Sequence, residues 1–112
     1  MLTEAQAKAK GAELLRGLNG TGWELKVFEN CGWHYTACNK FISVHPSRGG
    51  KYFAMMTADE DRPGVGEVYW RSDGSFDTPQ EAVEAQLQVA RNHFDKVRQA
   101  VEYVEKHTLG RL

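Results

Sequence analysis

TPQEAVEAQLQVARNHFDKVRQAVEYVEKH, residues 78–107, is the stretch that decides the fold. It opens with a capping box, in which the Thr78 hydroxyl accepts from the Glu81 amide and the Glu81 carboxylate reaches back, with Pro79 at the first helical position. An apolar stripe then recurs at steps of four and three residues: Val83, Leu87, Ala90, Phe94, Val97, Val101 and Val104. This predicts a helix about 45 Å long, whereas a globule of this length has a radius of gyration of about 13 Å. The helix therefore spans the whole domain or reaches past it.

Composition limits the class of protein. The 112 residues predict a single domain, 1–112, that can bury a core without metal or disulfides. A net charge of −1 gives no general attraction to nucleic acid or acidic membranes. No apolar run approaches the ~20 residues of a membrane span, and residues 1–4 do not begin a signal peptide. We therefore expect a cytoplasmic protein with reduced Cys31 and Cys38 and no contact with membranes.

Working back from the last helix, the chain predicts a first helix and a set of short strands. Residues 3–18 have Thr3 as a cap and an alanine-rich face that we expect to be buried, with Leu14 beside it: Ala5, Ala9, Ala12, Leu15 and Leu18. Alternating or β-rich runs then follow at 23–28, 33–38, 41–44, 52–57 and 68–70. The predicted class is α+β: an N-terminal helix, a three- to five-stranded antiparallel meander sheet and a long C-terminal helix, in a two-layer sandwich.

The stripe of the last helix has two interpretations. A helix that covers a sheet is the usual use of such a stripe, and we favour this interpretation; self-association is the alternative. The second half extends beyond what a short sheet covers, and β-branched residues are frequent at dimeric coiled-coil cores. The predicted dimer seam consists of Phe94, Val97, Val101 and Val104. The first helix is the alternative partner for these side chains.

Four metal- or base-type residues, Cys31, His34, Cys38 and His45, lie within 15 positions. Zinc requires thiolates and imidazoles that converge tetrahedrally, and this spacing matches no standard site. Cys–His catalysis lacks an orienting acid nearby and a local signature around either thiol. We predict no metal, no cofactor and no catalytic residue, and keep a small metal- or Cys/His-dependent enzyme as the last alternative.

Residues 31–58 contain no Asp or Glu but hold several basic and aromatic side chains. Cations interleaved with rings on a sheet are typical of single-stranded nucleic-acid binding, although strand alternation must turn half of the rings into the core. Exposed Trp, Tyr and Arg are equally typical of protein interfaces. We predict that the partner-binding residues are Trp33, Tyr35, Arg48, Trp70 and Arg71.

Two segments carry family resemblances. Pro63-Gly64-Val65 and Asp77-Thr78-Pro79-Gln80-Glu81-Ala82 resemble the sheet-end turn and helix start of HicB-type antitoxins. Glu29-Asn30-Cys31-Gly32-Trp33-His34-Tyr35, together with the helix start at 76–83, is similar to small bacteriophage proteins that accompany host-takeover or anti-defence genes. That resemblance implies a compact cytoplasmic protein that acts by binding.

The leading functional hypothesis is a small non-enzymatic protein-binding module, encoded by a phage or mobile element, that inhibits a host protein complex such as a defence system. A homodimer through the C-terminal helix is part of this hypothesis. The alternative is a nucleic-acid-binding protein that uses the basic aromatic segment 31–58.

Overall fold

The computed structural model describes residues 1–57, 68–71 and 75–108, with the backbone alone at 57, 68–71, 97, 105 and 108. The elements are α1 (Glu4–Arg16), β1 (Glu24–Glu29), β2 (Trp33–Asn39), β3 (Ile42–Pro46), a 3-10 turn (Arg48–Gly50), β4 (Tyr52–Thr57), β5 (Val68–Arg71) and α2 (Pro79–Thr108). The strands form one antiparallel sheet in chain order, and the helices pack on it. This confirms the predicted α+β meander. The Pro63-Gly64-Val65 segment lies outside the described residues.

A row of small residues crosses the middle of the sheet and sets its packing distance from the helices. Leu25 pairs with Ala37, Ala37 with Val44, and Val44 with Ala54. Ala37, Val44 and Ala54 are fully buried. Small side chains at the centre let helix side chains approach closely, so one core joins both helices to this face of the sheet.

Helix α1 begins at a capping box between Thr3 and Gln6. The Gln6 amide donates to Thr3 Oγ1 at 3.2 Å, and the Thr3 amide donates to Gln6 Oε1 at 2.9 Å. These two bonds satisfy amides that the first turn of a helix leaves without an intrahelical acceptor. The predicted Thr3 cap is therefore confirmed.

The buried face of α1 differs from the expected one. Ala7, Gly11 and Leu14 are buried, whereas Ala5 and Ala9 are exposed. The prediction was wrong for Ala5 and Ala9, whereas Leu18 is buried and Leu15 packs against the core. Alanine and glycine occur all around this helix, so the apolar pattern did not define one side. Contact with the sheet selects the side of Gly11, where an added Cβ would lie 2.5 Å from Leu25 Cδ1.

A short segment fastens the start of α2 to the sheet. Tyr52 and Phe76 exchange two backbone hydrogen bonds of 2.8 Å, and two residues later Thr78 Oγ1 accepts from the Glu81 amide at 3.1 Å. The latter is the first hydrogen bond of the predicted capping box. The backbone N–H of Asn19, just after α1, donates to Gln80 Oε1 at 3.0 Å. The entry of α2 is therefore fixed by both β4 and the end of α1.

Helix α2 divides into two halves with different surroundings. Ala82, Val83 and Ala90 are buried in its first half, which packs on β3, β4 and β5. From Arg91 to His107 every described side chain is exposed. The molecule accordingly measures 62 × 25 × 25 Å, with a radius of gyration of 17.4 Å. Helix α2 thus reaches past the domain, which is the second of the two outcomes that its length allowed.

We predict that Gly11→Ala destabilises the fold by about 1 kcal/mol, although Gly→Ala inside a helix ordinarily stabilises by about that amount. The new Cβ would overpack Leu25, which costs roughly 1–3 kcal/mol in a filled core. Urea denaturation measures the change. Ala9→Gly at an exposed position of the same helix is the control for propensity alone. A Gly11→Ala variant that is more stable than the original protein would contradict this packing.

Candidate functional site

The distal half of α2, defined as residues 91–108, carries several apolar side chains that are half exposed or more. Phe94, Val101 and Val104 are 60%, 50% and 52% exposed. Steps of seven and three residues place them along one side of the helix. Val97 occupies the same stripe by its sequence position. We call Phe94, Val97, Val101 and Val104 the distal stripe, and it comprises the residues predicted as a dimer seam.

Polar side chains flank the distal stripe and remain in water. Arg98 pairs with Asp95 at 3.3 Å on the exposed surface. Near the end of the helix the rings of Tyr103 and His107 stack with centroids 4.0 Å apart, and Tyr103 is 64% exposed. An apolar stripe with a charged border and exposed rings has the composition of a protein interface.

The structure does not bring the predicted anchor residues onto one exposed face. Tyr35 is 9% exposed and belongs to the core, and Trp33 packs partly buried against the same core. Burial raises the pKa of the Tyr35 hydroxyl, with smaller contributions from Tyr52 and Glu13. A ring in the core cannot reach a partner while the domain stays folded, so we remove Tyr35 from the anchor set.

The other predicted anchors lie elsewhere. Arg48 is exposed in the 3-10 turn after β3. Trp70 and Arg71 lie in β5, where their backbones pair with Met56 and Met55. The side chains of these two β5 residues lie outside the described part of the structure, and their role stays a prediction.

The opposite face of the sheet holds a hydrogen-bonded network that the sequence did not single out. The Thr36 hydroxyl donates to the Val44 carbonyl at 2.8 Å, so towards His45 Nδ1, at 3.2 Å, it acts as acceptor. His45 Nδ1 then carries the proton in the neutral ring, and Nε2 accepts from Ser43 Oγ at 2.7 Å. Side chains alternate between the two faces of a strand, and antiparallel pairing aligns β2 with β3. Together these two rules would have predicted that Thr36, Ser43 and His45 share one face.

This network resembles a serine–histidine pair in its connectivity but not in its accessibility. Ser43 is fully buried and Thr36 is 7% exposed. A nucleophile must meet a substrate carbon, and a hydroxyl with no exposed surface cannot. The arrangement instead satisfies buried polar atoms, whose burial without partners would cost roughly 1–3 kcal/mol each.

The four residues of the Cys/His set are dispersed. Cys31 is exposed in the β1–β2 turn, with a φ of 54°, whereas Cys38 is buried in β2. His34 Nε2 contacts the Asn30 carbonyl oxygen at 2.8 Å and its ring stacks on Phe28. Among the described residues no group of three or more His, Cys, Asp or Glu side chains is placed to hold a metal ion. Burial raises the pKa of the Cys38 thiol, which further removes it from nucleophilic chemistry.

The basic and aromatic residues of segment 31–58 are also separated. Lys40 and Phe41 lie in the β2–β3 turn, and Arg48 and Lys51 lie beyond the other end of β3, about 17 Å away at ~3.3 Å per residue. Lys51 pairs with Asp77 at 2.7 Å, which raises the pKa of the lysine and lowers that of the carboxyl. The cations therefore do not line one continuous track for a phosphate backbone.

Two small pockets lie near the end of the pairing between β2 and β3. The pairs stop at Ala37–Val44, and Tyr35 and Pro46, two positions further along their strands, line both pockets. Their volumes are about 250 and 220 Å³. Ligand sites typically occupy ~300–1,000 Å³, so these pockets are small for a metabolite, and the distal stripe is the stronger candidate surface.

Comparisons with protein-family models, with curated proteins and with solved structures find no match for this chain. Among the described residues no helix has the length and apolar character required to cross a membrane. The candidate site consequently stands on the geometry of this chain alone.

We predict that a thiol reagent such as an aromatic disulfide labels Cys31 rapidly in the native protein and leaves Cys38 unlabelled. Cys31 is exposed, whereas Cys38 is buried and its pKa is raised. The native protein should thus release one equivalent of reporter thiolate and the unfolded protein two. Cys31→Ser should abolish the fast phase. Fast labelling of that variant in the folded state would contradict the burial of Cys38.

Proposed function

We propose that this chain is a non-enzymatic protein-binding module that docks another polypeptide on the distal half of α2. The observation that carries the proposal is the exposure of Phe94, Val101 and Val104 along one side of a helix that has left its own sheet. Exposed apolar side chains along one side of a helix are typical of a surface that binds another polypeptide.

Energetics support a partner for this segment. An isolated helix of fewer than about 12–15 residues is marginal in water, because most helical stability in proteins comes from packing of the apolar face. The distal half is somewhat longer than that, but its apolar side chains Phe94, Val101 and Val104 remain half exposed or more. Fully burying a Val or Phe side chain is worth roughly 1.5–3 kcal/mol relative to exposing it. A partner that covers the half-exposed distal stripe would therefore stabilise both the helix and the complex.

The mode of binding follows from the shape of the surface. The distal stripe is a ridge about 10 Å wide at most, since it lies on a single helix of about that diameter. Its natural counterpart is an apolar groove or another helix that presents apolar side chains at the same spacing. The exposed ring of Tyr103 and the Arg98–Asp95 pair form the polar border of such an interface.

The biological role that we propose is inhibition of a host protein complex, such as a defence system, by a protein of phage or mobile-element origin. Its support is the resemblance of residues 29–35 and 76–83 to small phage proteins of that kind, together with a surface suited to binding. A cytoplasmic location belongs to this proposal.

We predict that Phe94→Lys with Val101→Lys abolishes capture of the partner polypeptide and leaves the domain folded. Phe94 is 60% exposed and Val101 is 50% exposed, so the core does not depend on them. The tagged protein is incubated with nuclease-treated host lysate, to which an untagged copy of the chain is added as a second possible partner. The retained polypeptides are quantified by mass spectrometry. Loss of at least tenfold of a stoichiometric partner is the expected result.

The matched control is Asn92→Lys with Gln99→Lys, which adds the same charge to the same helix outside the distal stripe. It should retain the partner at the original level. Equal capture by the two double variants, or no retained polypeptide with the original chain, would contradict the proposed function. Far-ultraviolet circular dichroism checks that both variants keep their helix content.

A further inference from the structure

We infer that strand β1 pairs with β1 of a second copy, antiparallel across a twofold axis at Leu25, so that the two sheets join into one. This inference goes beyond the proposed function, because it assigns a partner to a different surface from the distal stripe. Three observations carry it: the unpaired outer edge of β1, the charges on its exposed face, and the position of α1 above it.

The direction of the backbone groups can be followed across the sheet from β4. Tyr52 exchanges two backbone hydrogen bonds with Phe76, on the side of β4 away from β3. Residues directly opposite each other in an antiparallel pair either exchange both bonds or both point away from each other. Pro46 lies opposite Tyr52 and therefore points away from β4, and so does Val44 two residues earlier. Both residues thus point towards β2.

The same alternation identifies the groups at the outer edge of β1. Ala37 lies opposite Val44, so it points towards β3 and away from β1. Leu25 lies opposite Ala37 and in turn points away from β2. The outer edge therefore presents the N–H and C=O groups of Leu25, Val27 and Glu29. Strand β1 is the first strand of the sheet, and no described residue hydrogen-bonds to this edge. Such an edge is a template for another strand.

Charge selects the partner and the register. Leu25 and Val27 pack against the core, so Glu24 and Lys26 lie on the face of β1 that α1 does not cover, and both are exposed. A twofold axis at Leu25 places Glu24 directly opposite Lys26 of the second copy, and this pair forms twice. An axis at Lys26 places two lysines opposite each other, which is how edge lysines prevent pairing. An axis at Val27 places Lys26 opposite Phe28 and forms no ion pair.

The position of α1 fits the same axis. Helix α1 packs on both β1 and β2, so it lies above the space between them. When β1 pairs with its copy, the two α1 helices lie two strand spacings apart, which is about 9.6 Å at ~4.8 Å per strand. This agrees with the ~8–10 Å between the axes of packed helices. The two copies of α1 therefore contact each other without a rearrangement of either domain.

The side of α1 that faces the twofold axis carries a small residue at the right level. Gly11 lies directly above Leu25, since an added Cβ would be 2.5 Å from Leu25 Cδ1. Lys10 lines the pocket beside Tyr35 on the side of β3 and β4. Ala12 is turned about 200° from Lys10, at ~3.6 residues per turn, and so faces the outer edge of β1. The methyl group of Ala12 lets the two helices approach closely at the axis.

The length of the paired segment sets the expected strength. Gly22 has a φ of 89°, which ends the extended segment before position 23. Residues 23–27 then pair with themselves about Leu25, and this strand pair with one helix contact is small beside the ~1,200–2,000 Å² of stable interfaces. We therefore expect a dimer that dissociates in the micromolar range.

The first test is sedimentation equilibrium of the full chain up to about 1 mM. The mass should rise from 12.6 kDa towards twice that value with concentration. Lys26→Glu should weaken association at least tenfold, because each Glu24 then faces a like charge. Lys26→Glu with Glu24→Lys should restore association.

The control for charge is Lys96→Glu, an equal change at an exposed position of α2, which should alter association less than twofold. An equal mixture of the Lys26→Glu chain and the Glu24→Lys chain should associate more tightly than either chain alone, since every pair in the mixed dimer is attractive. Equal effects of Lys26→Glu and Lys96→Glu would overturn the inference.

Cross-linking tests the register. The background is Cys31→Ser with Cys38→Ala, because Cys38 lies opposite Glu24 within one chain and would capture a thiol placed there. Mixed Glu24→Cys and Lys26→Cys chains should form an intermolecular disulfide, since such opposite residues lie about 4.5 Å apart between Cα atoms. Lys26→Cys alone should not, because its two copies are diagonal neighbours about 7–8 Å apart. Rapid cross-linking of Lys26→Cys alone would show an axis at Lys26 and overturn the inference.

The outcomes separate this inference from the proposed function. A protein that stays monomeric up to about 1 mM would overturn β1 pairing and leave the proposed function intact, because residues 91–108 take no part in it. Association lost in Phe94→Lys with Val101→Lys but kept in Lys26→Glu would move the dimer contact to the distal stripe and overturn the inference. In the capture experiment, β1 pairing predicts that this double variant still retains the untagged copy, whereas a different polypeptide reports on the proposed function.

Discussion

The packing of the first half of α2 against β3, β4 and β5 is the contact on which the rest of the structure depends. Five strands spaced about 4.8 Å apart make a sheet only some 20–25 Å wide, whereas α2 is a 30-residue helix about 45 Å long. The apolar stripe that holds α2 on the sheet therefore continues past the sheet. Everything we propose about function follows from that mismatch in length. The apolar stripe that is buried as far as Ala90 is exposed at Phe94.

The local signals in the sequence were sufficient for the element order. The Thr3 and Thr78 caps, the alternation in β1 and β2 and the stripe of α2 each depend on near neighbours in the chain, and the structure confirms them. The overhang of α2 was also visible, since the length of a helix can be compared with the size of a domain from the sequence alone.

The sequence did not predict features that depend on which face of a strand or helix is buried. Alternation divides β2 into two sets but does not say which set meets the helices, and Tyr35 proved to be core. In α1, small residues on all sides left the face undefined until Gly11 met Leu25. The Thr36–His45–Ser43 network joins two strands, so it required the register of β2 and β3. The distal stripe was predictable because its pattern is periodic along one element.

The central claim is that the distal half of α2 is completed by another polypeptide. Amide hydrogen exchange of residues 91–108, measured in dilute protein and again at high concentration or with the captured partner, tests it most directly. We predict fast exchange in the dilute state and strong protection on association, with residues 79–90 protected in both states because they already pack on the sheet. Exchange in residues 91–108 that stays the same in both conditions would contradict the account.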